Sequence, residues 1–199
     1  MRSPFPDQEY NDSSFRSIDC RSCELDSYEF NNCKFLRCNF KETNFIGCIF
    51  RNCLFMDCDL SLAKLNNSQF TEVTFKDCQL VGINWVDTSL GRKNFLKPVD
   101  FIKCALNYST FIESQLKNIQ MIDCVAHSVD LSDADLSQAD CTGTDFSESR
   151  FHQTNLTGAN FTRATNYSIS VTDNIVKKAK FSLPEAMTLL YSLEIELTD

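Results

Sequence analysis

From Phe15 onward a large apolar residue recurs at every fifth position, through Cys20, Leu25 and Phe30 without a miss to Phe95. After one spacing of six it resumes from Phe101 to Phe161. The thirty positions hold fifteen Phe, ten Leu, two Cys and one each of Trp, Met and Ala, and none is polar. Two residues ahead of each lies a second, smaller series: nine Cys, five Ser, four Thr, four Ala, three Val and three Ile, with Tyr28 and Lys93 as exceptions. A period of five suits neither common element. On an α-helix, at about 100° per residue, the series would spread around the whole circumference. On a flat strand an odd spacing flips every second member to the opposite face. A chain that turns a corner every five residues buries both series on one axis, and coils stacked at about 4.8 Å would enclose a continuous core.

The pentads resemble the pentapeptide-repeat family, whose loose motif is a small residue, a polar residue, Leu or Phe, and two variable residues. Ala134-Asp135-Leu136-Ser137-Gln138, Thr154-Asn155-Leu156-Thr157-Gly158 and Ala159-Asn160-Phe161-Thr162-Arg163 match it closely, and Cys38-Asn39-Phe40 and Cys58-Asp59-Leu60 match with Cys as the small residue. The resemblance implies an all-β fold: a right-handed quadrilateral β-helix of 20 residues per coil, here with a short C-terminal α-helix. At four pentads per coil, thirty pentads make 7.5 coils, a tower of about 36 Å. Phe15, Phe35, Phe55, Phe75 and Phe95 are then expected to stack in one column.

The spacing of six falls at Leu96-Lys97-Pro98-Val99-Asp100, beside Arg92 and Lys93. Proline removes a ladder donor and sits at bulges and edges, so a bulge is expected there. It divides a first stack, 15–97, from a second, 98–165, after an N-terminal tail at 1–14. Beyond Phe161 the register weakens through Val171, Val176 and Phe181 and is spoiled at Asn166, which suggests an irregular terminal coil at 166–181. Ser182, Pro184 and Glu185 form a capping-box signature for a helix from Ala186 to about Ser192. Residues 182–199 are too apolar for capping one tower end alone. By the family resemblance they form a dimerisation module, with Leu183, Met187, Leu189, Leu190, Leu193, Ile195 and Leu197 at the interface.

Composition narrows the chemistry. The register places all eleven cysteines of the 199 residues in one of the two inward series, where cysteine packs as a small hydrophobe. The start of the chain, Met1 to Asp7, is polar and broken by proline, unlike a secretory signal, and no stretch reaches the ~18 apolar residues of a membrane helix. A reduced, cytoplasmic protein without a membrane span is therefore expected. The two histidines, His127 and His152, follow central positions and read as surface residues; Cys20 and Cys23 form a formal CxxC in which both side chains face inward. With five glycines, two histidines and no secluded carboxylate pair, the chain reads as a non-enzyme that needs no metal and no cofactor.

Charge carries the functional signal. The chain has 27 acids against 19 bases, a net of −8, which argues against direct nucleic-acid binding. Residues 15–95 balance at ten of each, whereas 101–161 hold eight acids against Lys103, Lys117 and Arg150. The acids are Glu113, Asp123, Asp130, Asp133, Asp135, Asp140, Asp145 and Glu148. Asp130, Asp135, Asp140 and Asp145 each precede a central residue and stand on four successive faces of one coil. A negatively charged rod can compete for a basic DNA-binding groove. That matches the DNA-mimicking members of the family, the quinolone-resistance and albicidin-resistance types, which engage DNA gyrase and topoisomerase IV. The resemblance thus implies a homodimeric DNA mimic protecting a type II topoisomerase from a poison. The alternative is a non-catalytic scaffold or adaptor with no topoisomerase role.

Overall fold

A computed structural model describes residues 4–88, 99–193 and 195. The chain winds into a parallel β-solenoid of about 8 turns with one short helix, as the five-residue period and the family resemblance imply. Its strands are two or three residues long: β1 (Glu9–Asn11), β2 (Ser14–Arg16), β3 (Glu24–Asp26), β4 (Glu29–Asn31), β5 (Lys34–Leu36), β6 (Asn44–Ile46) and β7 (Ile49–Arg51). There follow β8 (Leu54–Met56), β9 (Gln69–Thr71), β10 (Thr74–Lys76), β11 (Asp100–Ile102), β12 (Met121–Ile122), β13 (Asn160–Phe161) and β14 (Lys180–Phe181). Three residues suffice per side because only the central one must face inward. One wall is the six-stranded ladder β12-β11-β10-β8-β5-β2, and another is β1-β4-β7-β9. Isolated parallel bridges continue the ladders on every side, as in Asp19, Asn39, Asp59, Gln79, Ala105, Val125 and Asp145.

The central series fills the interior. Phe30, Phe35, Phe40, Phe45, Phe50, Phe55, Phe70 and Phe75 are all buried, and rings one coil apart stack face to face: Phe35 on Phe55 at 4.5 Å and Phe55 on Phe75 at 4.8 Å. These spacings match the coil separation, so each ring covers the one beneath it. Side chains of successive sides meet edge-on, as Phe50 and Phe55 do at 63°.

The small series does more than leave room. Its hydroxyl and thiol groups donate to the carbonyl of a central residue one coil below: Thr43 Oγ1 to Cys20, Ser109 Oγ to Leu80, Cys48 Sγ to Leu25 and Cys124 Sγ to Phe101. The same atoms also accept, as when Ser149 Oγ takes the N–H of Val129 at 3.0 Å. Ser, Thr and Cys thus satisfy buried backbone polar groups that Ala cannot. All eleven cysteines are free and buried, and burial pushes the Cys53 and Cys124 thiols up to about 12.

Corners fall two residues after a central position, where among the described residues from Ser17 (52°) to Arg163 (59°) the backbone takes positive φ at all but Asp87. Short polar residues tolerate this region best, which accounts for the Ser, Asn and Asp so frequent there.

Three features depart from the sequence expectation. First, Phe101 rather than Phe95 pairs with and stacks on Phe75, at 5.6 Å. The coil between them is 26 residues long, so six residues are extra, and the β10–β11 ladder runs past them. Leu90, Arg92, Lys93, Phe95 and Lys97 lie outside the described residues. Second, the coiling begins before residue 15. Tyr10 sits in β1 beneath Phe30, and Phe5, 3% exposed, plugs the open end against Phe15, Phe30 and Phe40. The period already ran through Phe5 and Tyr10.

Third, the C-terminal helix, Glu185–Leu193, is a 3₁₀ helix and not an α-helix. Thr188 and Ser192 turn their hydroxyls back to the carbonyls of Glu185 and Leu189 three residues earlier, in competition with α-helical bonding. The Ser182 hydroxyl does not cap it but accepts the N–H of Arg163 in the coil below, while its carbonyl accepts the Ala186 N–H at 3.1 Å. Asn166 interrupts the register as expected, with Tyr167 buried in its place, and Phe181 restores it by stacking on Phe161.

Candidate functional site: an acidic band around the tower

The structure distributes the eight acids over all four sides. Asp140 stands on the wall of the Phe15 column, Asp145 on the next wall, Asp130 on the third and Asp135 on the fourth, each half-buried. Asp123, Glu148, Glu113 and Asp133 occupy corners at positive φ and are exposed. Only Glu113 and Asp133 share a corner, one coil apart; Asp87, outside the stretch weighed from the sequence, lies below them.

The two groups differ in chemistry. The wall aspartates cap their own turns. Asp130 Oδ1 accepts the Ser132 N–H at 2.9 Å and its hydroxyl at 2.6 Å, and Asp135 Oδ1 accepts the Ser137 N–H at 2.9 Å. Asp140 does the same with Thr142, and Asp145 with Ser147. Asn155 and Asn160 repeat the motif with Thr157 and Thr162. The recurrent Asx-x-Ser/Thr triplets are therefore turn caps. The corner acids make fewer such bonds: Glu148 accepts from Ser128 Oγ at 3.1 Å.

Asp145 is the most constrained. It accepts from His127 Nε2 at 2.9 Å and from Asn166 Nδ2 at 2.9 Å besides Ser147. Burial pushes its carboxyl up, but the bonds from Asn166, His127 and Ser147 outweigh that and hold it down at about 2. A depressed carboxyl stabilises the fold above its ordinary value near 3.8, and that contribution is lost as pH falls towards 2. Asp145→Asn should therefore cost about 1 kcal/mol at neutral pH, the linkage being reduced by partial exposure. In unfolding curves the difference should shrink as pH falls through about 2 and vanish at about pH 1, below both the folded and unfolded values; a gap that persists there would mean the loss is one of packing. The second histidine is also paired, His152 Nδ1 lying 2.7 Å from Asp173.

Among the described residues no group of three His, Cys, Asp or Glu side chains is placed to hold a metal ion, and no helix is long and apolar enough to cross a membrane. At the C-terminal end Leu189 packs against the core and Leu190 is half-buried, while Leu183, Met187, Leu193 and Ile195 are exposed. Leu197 lies outside the described residues.

Two family models match the chain, one described as pentapeptide repeat region over residues 28–97, the other as pentapeptide repeats in 8 copies over residues 127–163. No curated protein matches it. Among solved structures, trypsin-treated QnrB1, a plasmid-mediated fluoroquinolone resistance protein, superimposes with a TM-score of 0.72 at 19% identity, over 96% of this chain and 90% of that one. Full-length QnrB1 gives 0.67 at 19% identity, over 94% and 90%. At such identity the likeness shows a shared fold.

Proposed function

Because this chain belongs to the pentapeptide-repeat proteins, we propose that it acts without catalysis, as a DNA mimic that binds DNA gyrase or topoisomerase IV and protects it from a topoisomerase poison. The observation that carries this reading is the acidic band: between Asp123 and Glu148 there are seven acids and no Lys or Arg, and they surround the rod. Duplex DNA presents about one negative charge per 1.7 Å of axis, and a basic groove selects that field before it selects any base. The likeness to a fluoroquinolone resistance protein supports the choice of enzyme.

Supercoiling by purified gyrase in the presence of a fluoroquinolone or albicidin tests the reading. The chain at micromolar concentration should rescue the poisoned enzyme or, in excess, inhibit it. Neither effect with either enzyme would remove it.

A scaffold or adaptor role is the second reading, favoured by the wall aspartates, whose turn-capping is reason enough for their presence. Under either reading we place a homodimer interface on Leu183, Met187, Leu193 and Ile195, with Leu189 and Leu190 beneath. Light scattering should give twice the 22.7 kDa chain mass, and Leu183→Glu with Met187→Glu should halve it. An unchanged mass would move the interface elsewhere.

A further inference from the structure

Two corners break the rule that the others keep. Among the described residues, corner positions at positive φ carry Gly or a polar or charged side chain, except at Leu62 and Tyr108, each with φ of 60°. A bulky side chain is disfavoured in this region, and these two recover little by burial, being 51% and 70% exposed. They share one corner column with Gly82 in the coil between. The absent Cβ of Gly82 would lie 2.8 Å from Leu62 Cδ2, so Leu62 spreads over the coil above it towards Tyr108. Val86 and Val125 flank the column, also exposed, with Val81 half-buried.

Acids outnumber bases around it. Asp130, Asp145 and Glu148 lie above the patch and Asp87 and Glu113 to one side, against Lys64 below, Arg150 above and Lys103 to the other side. Nucleic acid would be repelled by such a border. A second copy docked about a two-fold axis would set the border against itself.

We propose that the Leu62–Tyr108 knob is a docking anchor for a protein surface that offers an apolar pocket bordered by lysine and arginine. The inference rests on the topoisomerase reading and supplies it with a contact that charge alone lacks. An exposed tyrosine with an apolar neighbour is the usual kind of interface hot spot, and the acids around it give encounter rate and orientation.

The test uses Tyr108→Asn and Leu62→Asn in the full chain, because Asn is a residue these corners accept. Relief of backbone strain should leave the melting temperature unchanged or raise it by about 2 °C. Binding to purified gyrase or topoisomerase IV should weaken about thirtyfold for Tyr108→Asn, by a factor that does not change with salt. Unimpaired binding of both variants, with the parent chain bound, would overturn this inference alone. Failure of the parent chain to bind either enzyme would overturn it together with the topoisomerase reading. A melting temperature lowered by several degrees would make the knob a packing element, and a change in oligomeric mass would make it a self-interface.

Discussion

Phe55→Ala is expected to lower the free energy of unfolding by about 3–5 kcal/mol. Phe55 is fully buried and its ring is sandwiched between Phe35 at 4.5 Å and Phe75 at 4.8 Å, with Phe40 and Phe50 edge-on at the sides. Truncation leaves a hole that the backbone cannot close, because the coils above and below are held apart by their ladder bonds. The same change at Phe15, at the half-exposed end of the column, should cost about half as much. Urea unfolding of the two variants decides it: equal losses would contradict a ladder whose rings support one another from both sides.

The second large effect concerns binding. Lysine at Glu113, Asp123, Asp133 and Glu148 should weaken association with the topoisomerase about a hundredfold at low ionic strength, the loss shrinking as salt rises. The fold should survive, since Lys103 and Lys178 already occupy equivalent corners at φ of 54° and 59°. Asn at Asp130, Asp135, Asp140 and Asp145 is the complementary set. It keeps an oxygen to cap each turn and removes four charges. Titrations of both sets against gyrase at two salt concentrations separate the readings: binding indifferent to both favours the scaffold.

Much of the fold was legible because the period of five is a direct record of the inward positions. The cysteines were read correctly as packing residues for the same reason, and their hydrogen bonds to carbonyls one coil below explain why Ser and Thr share their slot. What was missed lay where the pattern changes meaning. The step from Phe95 to Phe101 looked like one extra residue, yet six are extra, because a local spacing does not say which coil an aromatic joins. Phe5 and Tyr10 obeyed the period but were read as a tail. The capping box at Ser182 had its sequence form, but its hydroxyl was drawn to Arg163 of the preceding coil.

The candidate site was legible as composition and only partly as geometry. The eight acids were found by counting, and their alternation between walls and corners follows from the register. Their division into turn caps and free charges does not, because it depends on which oxygen each neighbouring N–H and hydroxyl reaches. Leu62 and Tyr108 were overlooked for a related reason: until the corner is known to hold positive φ, an apolar residue two places after a Phe or Leu is unremarked.

By itself the amino-acid order determined that the chain must coil, which residues face the axis and where the negative charge lies along it, since a strict period leaves a single way to bury Phe and Leu together. Only the tertiary structure decided which coil stacks on which across the 26-residue turn, how each end is closed and which side chains share a corner. Those relations join residues twenty or more apart in the chain, and hydrogen bonds between coils set them.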